Sequence, residues 1–196
     1  VLELAADKPG DIQYLVDIVR PQIGVVTAVG EVPGHVEFYA SPKEIAEEKS
    51  KLIQQLPVHD GLAVLNYDDQ TVQDMKEQSR AEIMTFGFSR PPAGGVDVWV
   101  SDISYFISDD GKDIGGLSFK INHGRTVVPA MINNLIGMHQ LYGGMAAVVV
   151  GLHFGMNLVD ISGALENIEL PHGRMNLIQG VKNSIVIDDT YNASPL

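Results

Sequence analysis

No cysteine occurs anywhere in the 196 residues. A disulfide framework and a thiol nucleophile are therefore excluded, and the composition suits a reducing compartment. Basic residues are scarce, 13 Lys and Arg against 25 Asp and Glu, for a formal net charge of −12. Such a chain is a poor partner for a phosphate backbone or an anionic membrane, so neither nucleic-acid binding nor membrane insertion is expected. A nucleotide is not excluded, because a few local groups and a metal can hold one. The longest apolar run, residues 141–156, is interrupted by glycines and His153. It falls short of the roughly 20 residues of a bilayer span and reads as a buried core helix. Several signatures are missing: G-x-x-x-x-G-K-[ST], a strand-linked G-x-G-x-x-G, H-E-x-x-H and G-x-S-x-G. No repeat or low-complexity segment is present, and no signal peptide is expected. Val1 leads straight into VLEL, from which we expect a chain that starts partway through a larger protein.

What is present describes an ordinary globular chain, 45% apolar and 19% charged, long enough for one domain with a full core. Residues 1–4 (VLEL) read as a short buried strand. Asp11 is placed to cap a helix with the stripe Ile12, Leu15, Val16 and Val19, which Pro21 ends. Residues 23–29 (IGVVTAV) are a β-branched run of the kind that central parallel strands carry. Strand, helix, strand makes a βαβ unit. Residues 61–66 and 83–88 continue the sheet, with Tyr67-Asp68-Asp69 as a turn and a short helix at 71–78. A loop signal at residues 89–95 changes the texture. Residues 96–131 read as a small antiparallel subdomain, with turns at DDGKDIGG and NHGR. Helices are expected at 135–154, with Gly143-Gly144 as a close-packing site, and at 158–168, capped by Asn157 with Asp160 as partner. Residues 174–180 and 184–189 form a β-pair. The expected class is α/β, a mostly parallel sheet flanked by helices with a small antiparallel sheet appended.

One helix organises the candidate chemistry. Ser41 is an N-cap, Pro42 suits the first helical position and Glu44 completes a capping box. Ile45, Ala46, Leu52, Ile53 and Leu56 share a stripe at about 100° per residue. Lys49 falls in the middle of it; Lys43 and Lys51 do not. An ammonium at the centre of a buried face is expensive unless paired or chemically altered, and burial makes the neutral amine available. The plainer reading buries the stem and leaves the ammonium in water. Glu3 is either a ligand group at the C-terminal edge of a parallel sheet or an end-of-strand glutamate facing solvent. His35, in the loop ahead of the helix, is either a ligand or a surface histidine. All three map to one edge of a βαβα unit. With Lys49 carbamylated they would make a set suited to Mg²⁺ beside phosphate oxygens and water.

Four stretches carry a resemblance. They are LELAADKPGDI (2–12), T-x-V-G…HVEFYASPKEIAEEKSKL (27–52), GLAVLNYDD (61–69) and HGRMNLIQG…VIDDTYNASP (172–195). Together they resemble the central ATP-binding domain of the Mur ligases, the cytoplasmic amide-forming enzymes of peptidoglycan synthesis. Within the family they are most similar to the ligases that add D-alanyl-D-alanine to UDP-N-acetylmuramoyl-tripeptide. The resemblance implies a P-loop-NTPase-like fold, with residues 1–187 as part of the central domain and 188–196 as a hinge into a C-terminal domain. It implies ATP and Mg²⁺ as cofactors, with Glu3 on the Mg²⁺ that bridges the phosphates, and His35 and carbamylated Lys49 on a second. Lys49 and His35 are the implied catalytic residues. Arg174 is implied near the nucleotide, His139 at the helix start beside the adenine, and Asp189 and Tyr191 at the ribose and adenine. The implied reaction activates the carboxylate of a UDP-MurNAc-peptide as an acyl phosphate, which an amine such as that of D-Ala-D-Ala then attacks.

The chain also departs from the pattern. The family's P-loop would precede Val1, so the isolated chain is expected to be inactive and to bind ATP very weakly. The family's H-N-x-x-N reads here as His139-Gln140-Leu141-Tyr142-Gly143. Gln140 can replace an amide and Gly143 cannot, which alters the expected adenine pocket. The stretch Glu31-Val32-Pro33-Gly34 is unusual. Two further readings stand beside the leading one. A folylpolyglutamate-type ligase is opposed by HVE and DDTYNASP. A catalytically retired Mur-like binding module is favoured by the missing asparagine and opposed by the retained Glu3, His35 and Lys49.

Overall fold

The computed structural model describes residues 1–30, 38–88, 95–108 and 114–191. His35, residues 89–94, the tip of the DDGKDIGG turn and residues 192–196 lie outside them. The chain divides between Gly87 and Phe88 into two compact units.

The first unit holds α1 (Asp11–Val19), β1 (Ile23–Val26), α2 (Pro42–Gln54), β2 (Leu62–Asn66), α3 (Gln70–Asp74) and β3 (Glu82–Gly87). Its strands are parallel and adjacent in the order β1-β2-β3. All five residues of β2 are buried. A strand flanked on both sides and covered on both faces needs no alternation, which is why LAVL reads as an unbroken apolar run. α2 lies close against β1: a Cβ on Gly24 would sit 3.1 Å from the Leu52 side chain and 3.2 Å from that of Leu56. The core joins Val26, Tyr39, Ile45, Ile53, Leu65 and Met75.

The ends of α2 follow the expected chemistry. Ser41 accepts the Glu44 amide and Pro42 occupies the first position; the Glu44 carboxylate returns to the Ala40 amide, one residue before the cap. α1 differs from expectation. Its N-cap is Gly10, in the left-handed region at φ 99°, and Asp11 instead accepts the Lys8 amide of the preceding turn.

Two strand expectations are corrected. Residues 1–4 are not a strand, and Val1, Leu2 and Glu3 are exposed. Among the described residues VLEL enters no strand pairing. β1 itself stops at Val26, three residues short of the expected end.

The second unit opens with the antiparallel meander β4 (Val98–Ile107), β5 (Ile114–His123) and β6 (Thr126–Asn133). The expected NHGR turn lies between the last two. α4 (Leu141–His153) and α5 (Leu158–Glu166) follow, then the hairpin of β7 (Asn176–Gln179) and β8 (Ile185–Asp188). Asn157 caps α5 by accepting the Val159 and Asp160 amides. α4 begins six residues later than expected. Asn134 is left-handed at φ 59°, Gly137 is extended, and a 3-10 turn at Met138–Gln140 precedes the helix. Of the paired glycines only Gly144 is a packing site, since a Cβ there would meet the Ile132 side chain at 3.0 Å, while one at Gly143 would meet nothing within 4 Å. The α/β class, with a helix-flanked parallel sheet and antiparallel sheets besides, is the one expected. Among the described residues no helix is long and apolar enough to cross a membrane.

Candidate functional site

The C-terminal edge of the parallel sheet is where α/β folds gather ligand groups, and Lys49 reaches it. Its Nζ donates to the Ala28 carbonyl at 2.8 Å, two residues past the end of β1. Burial pushes the Lys49 amine below the ordinary lysine range, and the nearby charge of Asp69 partly opposes the shift. The stripe placed Lys49 correctly, but neither sequence reading of its head is complete. The ammonium is held by a strand-exit carbonyl.

The last residue of β2 and a residue of the turn expected after it build the rest of this edge. Asn66, 2% exposed, donates to the Thr27 carbonyl at 2.7 Å and accepts the Asp68 amide at 2.9 Å. Asp69 accepts the Val29 amide at 2.7 Å and caps α3 through Val72 at 3.1 Å. The signal available was a polar residue closing an otherwise apolar strand, followed by a capping aspartate. Glu48 was also missed. It is buried on a second face of α2, where it accepts the Ile12 amide at 2.9 Å and pairs with Lys51 at 2.5 Å. Burial alone would raise its pKa. The Lys51 ammonium and the amides of Gly10 and Ile12 outweigh that and hold the carboxyl below its usual range.

The described residues cover only part of the expected metal set. Glu3 is exposed, in irregular backbone, and His35 is outside the described residues. Among the described residues no three His, Asp or Glu side chains converge as a metal site.

The second unit carries the expected nucleotide-side residues. The Arg174 guanidinium lies 4.1 Å from the centre of the Tyr191 ring, a cation–π contact. Gly173 makes room for it: its φ is 72°, its carbonyl accepts the Tyr191 amide at 3.0 Å, and a Cβ there would meet that same nitrogen at 3.0 Å. Gln140 donates its Nε2 to the Arg174 carbonyl at 2.8 Å. Its Oε1 is buried with no partner among the described residues. His139 and Asp189 are exposed. A cavity of about 540 Å³ opens elsewhere in this unit, beside Phe106, Ile114 and Leu177, and none of the expected site residues lines it.

The sequence profile of the Mur ligase middle domain matches residues 1–151. The chain belongs to the Mur ligase family. A UDP-N-acetylmuramoyl-tripeptide–D-alanyl-D-alanine ligase of Mycobacterium leprae (strain TN) is 30% identical over 200 residues, covering all of this chain and 37% of the relative. The crystal structure of MurF from Acinetobacter baumannii superposes with a TM-score of 0.82 at 27% identity, covering 99% of this chain and 39% of that one. The MurF ligase from Thermotoga maritima in complex with ADP gives 0.80 at 26%, covering 99% and 41%. This Mur-family chain thus spans less than two fifths of the length of the Mycobacterium relative.

Proposed function

We propose that the chain is the middle part of an ATP-dependent amide ligase of peptidoglycan-precursor synthesis, working in the cytoplasm. The observation that carries the reading is Lys49, held at the C-terminal edge of a parallel sheet on the Ala28 carbonyl, in a chain of this family. The proposed substrates are a UDP-MurNAc-peptide, ATP and D-Ala-D-Ala, as the names of the relatives suggest. The carboxylate becomes an acyl phosphate and the incoming amine displaces phosphate. The likeness to a ligase with bound ADP supports a nucleotide. The 196 residues alone, with no P-loop sequence among them, are proposed to be inactive.

On the nucleotide side the residues fit. Gln140 offers a buried, unpartnered acceptor oxygen, the complement of an exocyclic amino group. Arg174 supplies a cation and Tyr191 a ring face, the other face being covered by Arg174. Asp189 and His139 complete the proposed set. On the metal side, Lys49 in its amine form is a donor, to the Ala28 carbonyl. Glu3, His35 and Lys49 remain the proposed Mg²⁺ ligands, and carbamylation would turn Lys49 from donor to acceptor.

One observation favours a second reading. Among the described residues a Cβ on Gly143 would meet nothing within 4 Å, so crowding at the Cβ does not explain the loss of the family's asparagine there. A binding module retired from catalysis would lose it without penalty. The test is phosphate release by the full-length parent, supplied with ATP, UDP-MurNAc-tripeptide and D-Ala-D-Ala, beside a Lys49→Ala variant. Acceptor-dependent release that the variant loses supports the ligase; nucleotide binding without turnover supports the retired module. Activity with a glutamate acceptor instead would favour the folylpolyglutamate type.

A further inference from the structure

The pairing of β1 with β2 ends at Val26 and Leu65. Beyond it, side chains take over. The Thr27 carbonyl is held by Asn66, the Ala28 carbonyl by Lys49 and the Val29 amide by Asp69. The last two grips act on a single peptide group, because the Ala28 carbonyl and the Val29 amide are the two ends of one planar unit. An ammonium on the oxygen and a carboxylate on the N–H polarise that unit in the same sense, so each strengthens the other. Among the described residues no ion pair joins Lys49 and Asp69 directly, and the peptide stands between them.

We infer that Asp69 is a positioning residue for Lys49, acting through the Ala28–Val29 peptide. The inference rests on Lys49 being the working lysine of the proposed ligase. Asp69 is fixed at both oxygens, Oδ2 on the Val29 amide at 2.7 Å and Oδ1 on the Val72 amide at 3.1 Å. It therefore ties the strand exit to the start of α3, and the carboxylate cannot swing without giving up one of them. An asparagine has one acceptor oxygen. It can keep the α3 cap but must turn an NH₂ toward the other N–H. Asp69→Asn therefore removes the clamp and spares the cap.

The test uses the 196-residue chain and two readouts. Amide hydrogen exchange reports the clamp. The Val29 amide should exchange about tenfold faster in Asp69→Asn, as expected for one lost charge-assisted bond, with Leu62–Asn66 unchanged. Cyanate, followed by peptide mass spectrometry, reports Lys49. With its acceptor no longer held, Lys49 should be carbamylated faster relative to exposed Lys43. A Val29 amide that exchanges at the wild-type rate overturns the clamp. Faster exchange with an unchanged Lys49-to-Lys43 ratio overturns the positioning role and leaves Asp69 as a loop tie. Should Asp69→Asn fail to fold, Lys49→Met serves instead, because the same coupling requires it to speed Val29 exchange; no change would overturn the inference. The ligase reading fails separately, if the parent keeps its turnover in Lys49→Ala.

Discussion

The Glu48 carboxylate accepts the Ile12 amide at 2.9 Å across 36 residues of chain. A side chain of α2 thereby serves the open first turn of α1, whose own N-cap, Gly10, has none to offer. An acceptor with negative charge is what the exposed amides of a helix N-terminus require.

Replacing Glu48 by Leu should destabilise the protein by about 2–4 kcal/mol, since the Ile12 amide and the Lys51 ammonium both lose their partner. Glu48→Gln, which keeps an acceptor oxygen, should lose less. The carboxyl is held below its ordinary value of 4.5, so its contribution is complete above that pH and fades as pH falls through the lowered value. Urea unfolding at several pH values should show a steeper acid loss in the wild type than in Glu48→Gln.

Tyr39 is 2% exposed and its hydroxyl has no partner among the described residues. Tyr39→Phe should be neutral or stabilising by up to about 1 kcal/mol, because it removes an unsatisfied polar group and keeps the ring. Burial, followed by the charges of Glu48, Asp11 and Asp7, pushes the phenol up to about 12. The wild type should therefore hold its stability up to about pH 10 and lose about 2–3 kcal/mol between there and pH 12. Thermal melts of Tyr39→Phe across this range should lack that component.

Gly173→Ala should cost about 1–3 kcal/mol. The added carbon must accept a left-handed backbone and press on the Tyr191 amide. The loss should appear in unfolding experiments together with a weakened Arg174–Tyr191 contact, read from Tyr191 fluorescence or its ring proton shifts. Gly173→Asn, better tolerated at positive φ, should lose less if backbone conformation dominates and as much if the close approach does.

The neighbours Gly143 and Gly144 should respond in opposite ways. Gly143→Ala, in open space on α4, should stabilise by about 0.5–1 kcal/mol through helix propensity. Gly144→Ala must displace the Ile132 side chain and should gain little or lose stability. Chemical denaturation of the two variants side by side decides it.

Where the pattern was periodic, the sequence was readable. Ser41, Pro42 and the stripe of Ile45, Ile53 and Leu56 located α2 to within a few residues, and Asn157 located α5. The errors share a cause. VLEL was taken for a strand because its composition suits one, yet composition does not say whether a neighbouring strand is there to pair with. The start of α4 was set too early because Leu135 and Ile136 fit the apolar pattern, while the left-handed Asn134 and the tight turn at Gly137 break the helix. At the site, Lys49 was legible because it violated a pattern. Asn66, Asp69 and Glu48 were not, because their roles depend on partners 36 to 40 residues away and turn-like or surface-like chemistry is what such residues show locally.

The exit of β1 also bears on how this edge can change over evolutionary time. Bonds between paired strands use groups that every residue carries, so substitutions seldom alter them. From Thr27 to Val29 the backbone is held by three individual side chains, Asn66, Lys49 and Asp69. Each hold can be removed, weakened or retuned by a single codon change while the sheet beneath keeps its pairing. The geometry of this edge is therefore open to adjustment one residue at a time, independently of the fold that carries it.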